Sequence, residues 1–568
     1  MVRVHHGRLR FLVVCIVSVA ALFISRLYYV QVISHDAFTA KATKQYFRTN
    51  AVSLDRGSIY FLAADGTRSS AATLQTGGTL AINPRMLEDA AGVYAKLSTI
   101  TPIDSATFFE RAAKKDDPYE EVAKRIPAAV VKKIAALNIP GVETPLDQWR
   151  LYPQGAIAAH VLGFVGYKGD TQVGRYGIEE QFETTLSRTT TGVYKNFFAE
   201  LFLSLSRAAK PSLVEAGNIV TTIEPTVQAA LEKELANIDR QWGSRITGGI
   251  IMDPHTGEII ALAATPSFDP NNFNTEKDVG VFSNPLVEDV YEMGSIIKPL
   301  TMAAGIDAGV ITRTTTYNDL GTLTFNNKTI YNFDKQGRGV VTMQTVLNKS
   351  LNTGVAYVVS RLGNTRFANY MRSFGFGEKT NIDLPNEGTG LIKNLESNRD
   401  IEFVTASYGQ GIALTPIATT RALAALANNG QLVQPHVVKT IEYTSGFAQP
   451  FTATPGRQVV SPNTARTVSA MLVEVVDDAL LDGKYKQPHH TIAAKTGTAQ
   501  LNKEGGGYYD NKYLHSFFGY FPAYDSKYII FLFTVDPQGV TYASHTLTDP
   551  FMNLAKYLIT YYNIPPDR

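Results

Sequence analysis

A serine and a lysine stand one helical turn apart in the stretch YEMGSIIKPL, at Ser295 and Lys298. Proline lacks an amide hydrogen and clashes with an earlier carbonyl, so Pro299 is tolerated only near the start of a helix. The sequence therefore predicts a helix that begins close to Ser295, where backbone amides are unpaired and the helix dipole is positive. Lys298 would lie on the same face of that helix as Ser295.

This pair has the residue types needed for acyl transfer. Unpaired amides at a helix start can hold a developing oxyanion. A lysine among apolar neighbours such as Ile296, Ile297 and Leu300 has a lowered pKa and can take the proton of a serine hydroxyl. Serine is also a common helix cap, and about one or two Ser-x-x-Lys are expected by chance in a chain of 568 residues. The pair indicates catalysis only if other motifs support it.

A second motif, Ser-x-Asn, stands at Ser350 and Asn352 and leads into the apolar helical pattern LNKSLNTGVAYVVS. The same spacing recurs at Ser461 and Asn463. There, however, Pro462 follows the serine, which is typical of a helix cap with proline as the first helical residue. We therefore interpret only the first of the two as a candidate site.

A third motif lies in AAKTGTAQ, which contains Lys495, Thr496, Gly497 and Thr498 at the end of a predicted strand. The glycine would let a substrate approach the backbone closely, although Lys-Thr-Gly alone is also compatible with a simple turn. Ser-x-x-Lys, Ser-x-Asn and Lys-Thr-Gly in this order form the set used by penicillin-recognising serine enzymes. The combination is far more specific than its parts.

The elements around these motifs predict an α+β fold with a mainly antiparallel sheet. TGGIIMDPHTGEIIALAATP reads as two strands around a turn, and HTIAAKTGTAQ, SFFGYFPAY and KYIIFLFTVDP read as further strands. Helices are expected from Pro225 and after Asp549. Between Ser34 and Glu224, short strand-like runs alternate with polar helices such as DSATFFERAAKKD and YEEVAKRIPAAVVKKIAALNI.

Composition excludes several classes of function. Lys plus Arg number 53 against 51 for Asp plus Glu, and no long basic run concentrates charge, so no nucleic-acid partner is expected. The single cysteine, Cys15, cannot form an intramolecular disulfide or a cysteine-based zinc site, and the histidines lack the spacing of helical metal ligands. We expect neither a metal nor a cofactor.

The N-terminus predicts a membrane anchor. Residues 11–33 carry one charge, Arg26, and are long enough to cross a hydrocarbon core of about 30 Å. Arg3, Arg8 and Arg10 precede them, so the positive-inside rule leaves the bulk of the chain outside the cytoplasm. The alternative is a cleaved signal peptide, but SHDAFTA offers no convincing cleavage site.

The chain resembles class B penicillin-binding proteins, which are peptidoglycan transpeptidases. Besides the three motifs, the resemblance extends over ISRLYYVQVI, LDRGSIYFLAADGT, RLYPQGAIAAHVLGFVG, GRYGIEEQFETTL, IIMDPHTGEIIALAATPSFDPNNFN, FGFGEKTNIDLPNEGTG and TASYGQGIALTPIATTRALAALANNG. It implies a short cytoplasmic tail over 1–10, a transmembrane helix over 11–33, a mixed α+β pedestal over 34–224 and a transpeptidase domain over 225–568. The last would have the penicillin-binding, serine β-lactamase-like fold.

Three departures from the family pattern stand out. Glu224 replaces the more usual aspartate, LSRTTTG replaces a glycine-bearing stretch, and Ala494 stands before Lys495 where glycine is usual. The first two fall on the linker and pedestal, whereas Ala494 could slightly reshape the rim of the cleft.

The resemblance implies a role for each motif residue. Ser295 would attack the carbonyl between the last two D-alanines of a stem peptide, with Lys298 as general base. Ser350 would relay a proton to the departing D-alanine, Asn352 would position Lys298 and the substrate amide, and Lys495 would add positive field. Thr496 and Thr498, beside Gly497, would bind the terminal carboxylate, and the amides of Ser295 and Thr498 would form the oxyanion hole.

An amine of a neighbouring stem peptide would resolve the acyl-enzyme, and β-lactams would acylate the same serine. The main alternative is a D,D-carboxypeptidase or β-lactamase, for which Glu387 is a candidate deacylating base. A non-enzymatic scaffold or a β-lactam sensor are further alternatives. The resemblance also implies a polytopic glycan-polymerising glycosyltransferase as partner, and a role in division more than in elongation, while the acceptor amine stays open.

Overall fold

The computed structural model describes residues 6–29, 54–169, 171–188, 216–454 and 456–568. Contacts within the chain define two compact units, one of Met1–Asp55 with Gln75–Trp149 and the other of Arg56–Leu74 with Arg150–Arg568. The expected pedestal of residues 34–224 therefore contributes to both units. Its boundary with the transpeptidase domain near residue 225 stays a prediction.

The helices in the described residues are α1 (His6–Tyr28), α2 (Ala90–Ser98), α3 (Ser105–Ala112), α4 (Ala128–Ala135), α5 (Ala159–Leu162), α6 (Gly177–Gln181), α7 (Glu183–Leu186), α8 (Pro225–Trp242), α9 (Lys298–Asp307), α10 (Met343–Asn348), α11 (Asn352–Leu362), α12 (Asn364–Ser373), α13 (Asp400–Ala406), α14 (Pro416–Ala427), α15 (Pro462–Glu474), α16 (Ala543–Thr546) and α17 (Thr548–Tyr561).

The strands in the same residues are β1 (Ile59–Leu62), β2 (Arg68–Ile82), β3 (Glu120–Pro127), β4 (Val142–Glu143), β5 (Leu146–Leu151), β6 (Phe164–Lys168), β7 (Thr171–Arg175), β8 (Gly217–Thr221), β9 (Ile246–Met252), β10 (Ile259–Thr265), β11 (Thr316–Asp319), β12 (Thr322–Phe325), β13 (Lys328–Tyr331), β14 (Gly339–Thr342), β15 (Val438–Tyr443), β16 (Ala448–Pro450), β17 (Ala493–Asn502), β18 (Tyr508–Phe521) and β19 (Tyr528–Val535).

The N-terminal helix α1 overlaps the expected membrane span. Its apolar side chains are exposed from Phe11 onward wherever they are described. Within the described ranges, no helix meets both the length and the apolarity needed to cross a bilayer. The described ranges leave out residues 1–5 of the expected tail, residues 30–33 of the expected span, and residues 34–53, 170 and 189–215 of the expected pedestal.

The first unit packs α2, α3 and α4 with β3 around a core of its own. Here one expectation is wrong: YEEVAKRIPAAVVKKIAALNI was predicted to be helical throughout, whereas its first part forms β3. Val122 and Ile126 of β3 join the core, and β3 pairs with the second half of β2. The helical residues that follow Pro127 form α4, as expected for a proline at a boundary.

The second unit contains the sheet that carries the site. Its five strands run in the order β10-β9-β19-β18-β17 and every neighbouring pair is antiparallel. Side chains alternate across the sheet, so Phe518 and Phe531 enter one core while Phe517 and Ile530 enter another. Helices cover both faces, which explains why these strands read as continuous apolar runs. The predicted α+β fold with an antiparallel sheet is confirmed.

Several predicted elements are confirmed at their boundaries. α8 begins at Pro225, and the departure residue Glu224 caps it by accepting from the Val227 amide at 2.5 Å. The longer glutamate also accepts a hydrogen bond from the Tyr561 hydroxyl at 2.9 Å. The second Ser-x-Asn is a helix cap as predicted, with Ser461 preceding α15 and Pro462 inside it.

Ala494, another departure from the family pattern, lies on β17 and its side chain is in the core. Its side chain is 1% exposed and belongs to the cluster that includes Phe551. Its partner across the strand pair is Gly519, and a Cβ on that glycine would come within 2.8 Å of the Ala494 methyl. The neighbouring strand thus leaves room for the extra methyl in the core, and the methyl does not reach the cleft rim.

Candidate active site

The segment that carries Ser295 is a 3-10 turn, Gly294–Ile297, which continues directly into α9 at Lys298. Pro299 occupies the first turn of α9, so the predicted helix start is confirmed, with a tighter turn than an α-helix at the serine. Gly294 has φ +65°, and a Cβ there would lie 2.9 Å from the Thr498 carbonyl oxygen. Glycine therefore lets this turn approach strand β17 closely.

Lys298 is completely buried at the start of α9. Its Nζ donates to the backbone carbonyl oxygen of Ser350 at 2.5 Å and to the Ser350 hydroxyl at 3.2 Å. Burial holds the pKa of Lys298 well below its ordinary value, and the nearby charge of Lys495 lowers it further. The lowered pKa makes this amine a better proton acceptor at neutral pH than an ordinary lysine.

Ser350 stands between two lysines. Its hydroxyl also accepts from Lys495 Nζ at 3.1 Å, and Lys495 donates to the Thr496 carbonyl oxygen at 3.1 Å. Burial lowers the pKa of Lys495 to about 8. Ser350 adopts φ +52°, an uncommon conformation for a residue with a side chain. That conformation turns the chain sharply just before α11 and brings the serine to both amines.

Asn352 is the first residue of α11, as the apolar pattern predicted. Its side-chain amide donates to the Tyr331 carbonyl oxygen at 2.8 Å. Among the hydrogen bonds of the described residues, none joins Asn352 to Lys298. Asn352 follows Ser350 by two residues, and its side-chain amide binds the carbonyl oxygen of Tyr331. Its expected role at Lys298 and the substrate stays a prediction.

Lys495 to Thr498 lie near the start of β17, the edge strand of the catalytic sheet, where the sequence predicted a strand end. A Cβ on Gly497 would lie 2.3 Å from Ser516 Oγ and 2.7 Å from the Met293 carbonyl oxygen, so the nucleophile segment packs directly on this glycine. Thr498 Oγ1 accepts from the Ala543 amide at 3.1 Å. Among the described strands β17 pairs only with β18, so its other edge could pair with an extended substrate.

A buried polar network that sequence reasoning missed supports the Ser350–Asn352 turn. The single hydrogen of the Thr353 hydroxyl is shared between Asp319 Oδ1 at 2.8 Å and Asn332 Oδ1 at 2.9 Å. The Asn332 amide donates to both Asp319 oxygens at 3.0 and 3.1 Å. Asn332 directly follows Tyr331, whose carbonyl holds Asn352. None of these residues belongs to a short motif, and no signal in a single sequence would have joined them.

Glu387, the candidate deacylating base, is engaged elsewhere. Its carboxylate accepts from the Thr380 amide at 2.6 Å and from the Asn381 amide at 3.0 Å. It is 8% exposed and holds a local turn. These two hydrogen bonds give Glu387 a structural role in that turn.

The geometry combines a serine at a helix start with a buried amine one turn later, a second hydroxyl between two lysines, and an edge strand alongside. Such a constellation can form and resolve a covalent acyl-enzyme. It comes from three segments that lie far apart in sequence, at Ser295–Lys298, Ser350 and Lys495.

Two models of known protein families match the chain. A model of the penicillin binding protein transpeptidase domain matches residues 247–555, and a model of the penicillin-binding protein dimerisation domain matches residues 55–196. Stage V sporulation protein D of Bacillus subtilis is 28% identical over 96% of this chain and 84% of its own. The peptidoglycan D,D-transpeptidase FtsI of Escherichia coli K12 is 26% identical over 97% of this chain and 91% of its own.

Solved structures are similar in fold. Penicillin binding protein 3 of Mycobacterium tuberculosis without ligand has a TM-score of 0.65 and 26% identity, covering 74% of this chain and 92% of its own. Penicillin binding protein 2X of Streptococcus thermophilus has a TM-score of 0.74 at 19% identity, covering 91% of this chain and 81% of its own. Because the transpeptidase model alone matches more than half of the 568 residues, the chain belongs to the penicillin-binding protein transpeptidase family, with a dimerisation-type pedestal domain.

Proposed function

We propose that this chain is a peptidoglycan D,D-transpeptidase that crosslinks stem peptides through an acyl-enzyme on Ser295. The observation that carries the proposal is the buried amine of Lys298, which lies one turn after Ser295 and contacts Ser350. Relatives that are named peptidoglycan D,D-transpeptidases support the same activity. The chain is thus a serine-type acyltransferase of the penicillin-binding family.

Acylation begins when Ser295 Oγ attacks the carbonyl carbon between the last two D-alanines. The neutral Lys298 amine takes the hydroxyl proton as the new C–O bond forms, and the backbone amides of Ser295 and Thr498 hold the oxyanion. The C–N bond then breaks. The Ser350 hydroxyl gives its proton to the departing D-alanine amine and regains one from Lys298, so no net charge is left behind.

The acyl-enzyme is resolved by an amine of a second stem peptide. The amine attacks the ester carbonyl, loses a proton to Lys298, and forms the crosslinking amide while Ser295 recovers its hydrogen. Lys495 keeps positive charge beside Ser350 in both steps. Thr496 and Thr498, with Gly497 between them, bind the terminal carboxylate. A β-lactam enters the same acylation step through its strained amide.

Hydrolysis is the main alternative, as in a D,D-carboxypeptidase or a β-lactamase. It would need a base that activates water, and Glu387 is committed to the amides of Thr380 and Asn381. A non-enzymatic scaffold would have no need of a desolvated lysine one turn after a serine. These contacts favour transfer to an amine.

Finer features extend the proposal. We place residues 1–10 in the cytoplasm, an anchor over residues 11–33, the pedestal over 34–224 and the transpeptidase domain over 225–568, outside the cell membrane. A polytopic glycan-polymerising glycosyltransferase is the expected partner, and division is the preferred setting. The exposed apolar side chains of α1 are consistent with an anchor.

Mass spectrometry after treatment with a labelled penicillin tests the activity. Trypsin does not cut before Pro299, so Ser295 falls in the peptide of residues 278–313. We expect the adduct on that peptide, and we expect Ser295→Ala to abolish it. Ser461→Ala, in the motif copy that only caps a helix, is the matched control and keeps the label. An adduct elsewhere contradicts the site.

A further inference from the structure

The carboxylate of Glu292 joins three segments that surround Ser295. Glu292 lies three residues before the serine, on the chain that enters the nucleophile turn. The Tyr508 hydroxyl contacts its two oxygens at 3.3 and 3.0 Å, and the Asn502 side-chain amide donates to Oε1 at 3.3 Å. The backbone amide of Gly411 adds a hydrogen bond from a third segment.

Two of these partners mark the tip of the β17–β18 hairpin. Asn502 is the last residue of β17 and Tyr508 is the first of β18. The residues between them include Gly505, Gly506 and Gly507, all with positive φ. The tip has backbone hydrogen bonds of its own, from the Lys503 amide to the Gly507 carbonyl oxygen at 2.9 Å and from the Gly506 amide to the Lys503 carbonyl oxygen at 3.1 Å. The Glu292 contacts add an attachment to the nucleophile segment that these turn bonds do not supply.

The nucleophile segment is also attached lower on the same hairpin. Ser516 of β18 donates its hydroxyl hydrogen to the Met293 carbonyl oxygen at 2.8 Å. Thr498 lies on β17 between this attachment and the Glu292 contacts at the tip. Glu292 and Met293 therefore attach the nucleophile segment to the hairpin at two points along its length. Thr498, whose amide would help to hold the oxyanion in the proposed mechanism, lies between these two points.

The surroundings of the Glu292 carboxyl strengthen its hydrogen bonds. The carboxyl is partly desolvated, and burial raises its pKa, while the three donors stabilise its charged form. Hydrogen bonds in partly desolvated surroundings are electrostatically stronger than in water because the local dielectric is low.

We propose that Glu292 is a positioning residue that ties the tip of the β17–β18 hairpin to the nucleophile turn and so fixes the separation of the Ser295 and Thr498 amides. The inference rests on the proposed function for its kinetic consequence only. Its structural part, a hairpin tip held by Glu292 through Tyr508 and Asn502, stands independently of any activity.

The kinetic test measures acylation of the full-length chain by a fluorescent penicillin, with the binding constant and the acylation rate constant determined separately. Tyr508→Phe and Glu292→Gln should each lower the acylation rate constant about tenfold with little change in binding, because the oxyanion forms only in the transition state. The double variant should be no slower than the slower single variant. Tyr509→Phe is the matched control: it alters the adjacent tyrosine, whose ring contacts with Lys503 and Lys512 a phenylalanine keeps.

A second readout follows the hairpin itself. Lys503 is exposed at the tip, so the rate of tryptic cleavage after Lys503 in native protein, followed by mass spectrometry, reports how firmly the tip is held. Tyr508→Phe and Glu292→Gln should raise that rate severalfold, and Tyr509→Phe should not. The cleavage measurement needs no acylation. It therefore distinguishes failure of the Glu292 contacts to hold the hairpin tip from failure of the proposed function.

The proposal predicts slower acylation together with faster cleavage in the same two variants. Acylation within twofold of the parent chain, additive losses in the double variant, or unchanged cleavage after Lys503 would each overturn it. Thermal unfolding of each variant, with midpoints near that of the parent, ensures that the rates refer to folded protein.

Discussion

The amine of Lys298 donates to Ser350 twice, at 2.5 Å to its backbone carbonyl oxygen and at 3.2 Å to its hydroxyl. Fifty-two positions separate the two residues in the sequence. The contact ties the start of α9 to the turn before α11 and places the amine in a completely buried setting. The contact brings the amine to the second hydroxyl of the candidate site, and Ser295 lies one turn before the lysine in the same segment.

The pH dependence of penicillin acylation should be bell-shaped. At low pH the Lys298 amine becomes protonated and cannot take the serine proton, so the rate falls as pH decreases through its lowered pKa. At high pH Lys495 loses its charge with a pKa of about 8, so the rate falls again above that value. The measurement is the acylation rate constant across the pH range, and a rate that rises steadily past pH 9 would contradict the role of Lys495.

Gly294→Ala should disable the nucleophile turn. The backbone there has φ +65°, and the new methyl would press on the Thr498 carbonyl oxygen at 2.9 Å. Displacing either oxyanion amide should slow acylation about a hundredfold, measured with a fluorescent penicillin.

Gly309→Ala is the control for that substitution. Gly309 also has a positive φ, +68°, but a methyl there meets nothing within 4 Å. It should cost only the strain of the backbone, about 1 kcal/mol, and leave acylation unchanged. Equal losses in the two variants would mean that backbone strain, and not contact with β17, explains the effect.

Thr353→Val should destabilise the Ser350–Asn352 turn. The substitution keeps the shape but removes the hydroxyl that donates to Asp319 and Asn332 in a fully buried site. We expect a loss of about 1 to 3 kcal/mol in the free energy of unfolding, measured in urea, together with slower acylation. Thr353→Ser keeps the hydroxyl and should retain most of the acylation rate. If it proves as slow as the valine variant, the hydroxyl is not what supports the turn.

Local chemistry explains why much of the site could be predicted. Pro299 limits where α9 can begin, and the same logic identifies Ser461 as a cap, so both helix starts are predictable from a few neighbouring residues. The apolar runs of β18 and β19 likewise follow from a sheet that is buried on both faces.

Contacts between distant segments could not be predicted in the same way. Glu292 and Tyr508 are 216 positions apart, and the amide of Asn352 reaches Tyr331 across a turn that no motif describes. Tertiary packing also overrode helix propensity at residues 120–127, where pairing with β2 makes a strand of residues that read as helical.

Replacing Lys298 with methionine tests the central claim most directly, because methionine fills the same buried space without an amine that can accept a proton. The measurement is the rate of penicillin acylation of the full-length chain. Lys349→Met, which alters the exposed lysine next to Ser350, is the control. We predict that Lys298→Met slows acylation about a hundredfold or more while Lys349→Met does not. Undiminished acylation of Lys298→Met would contradict the account.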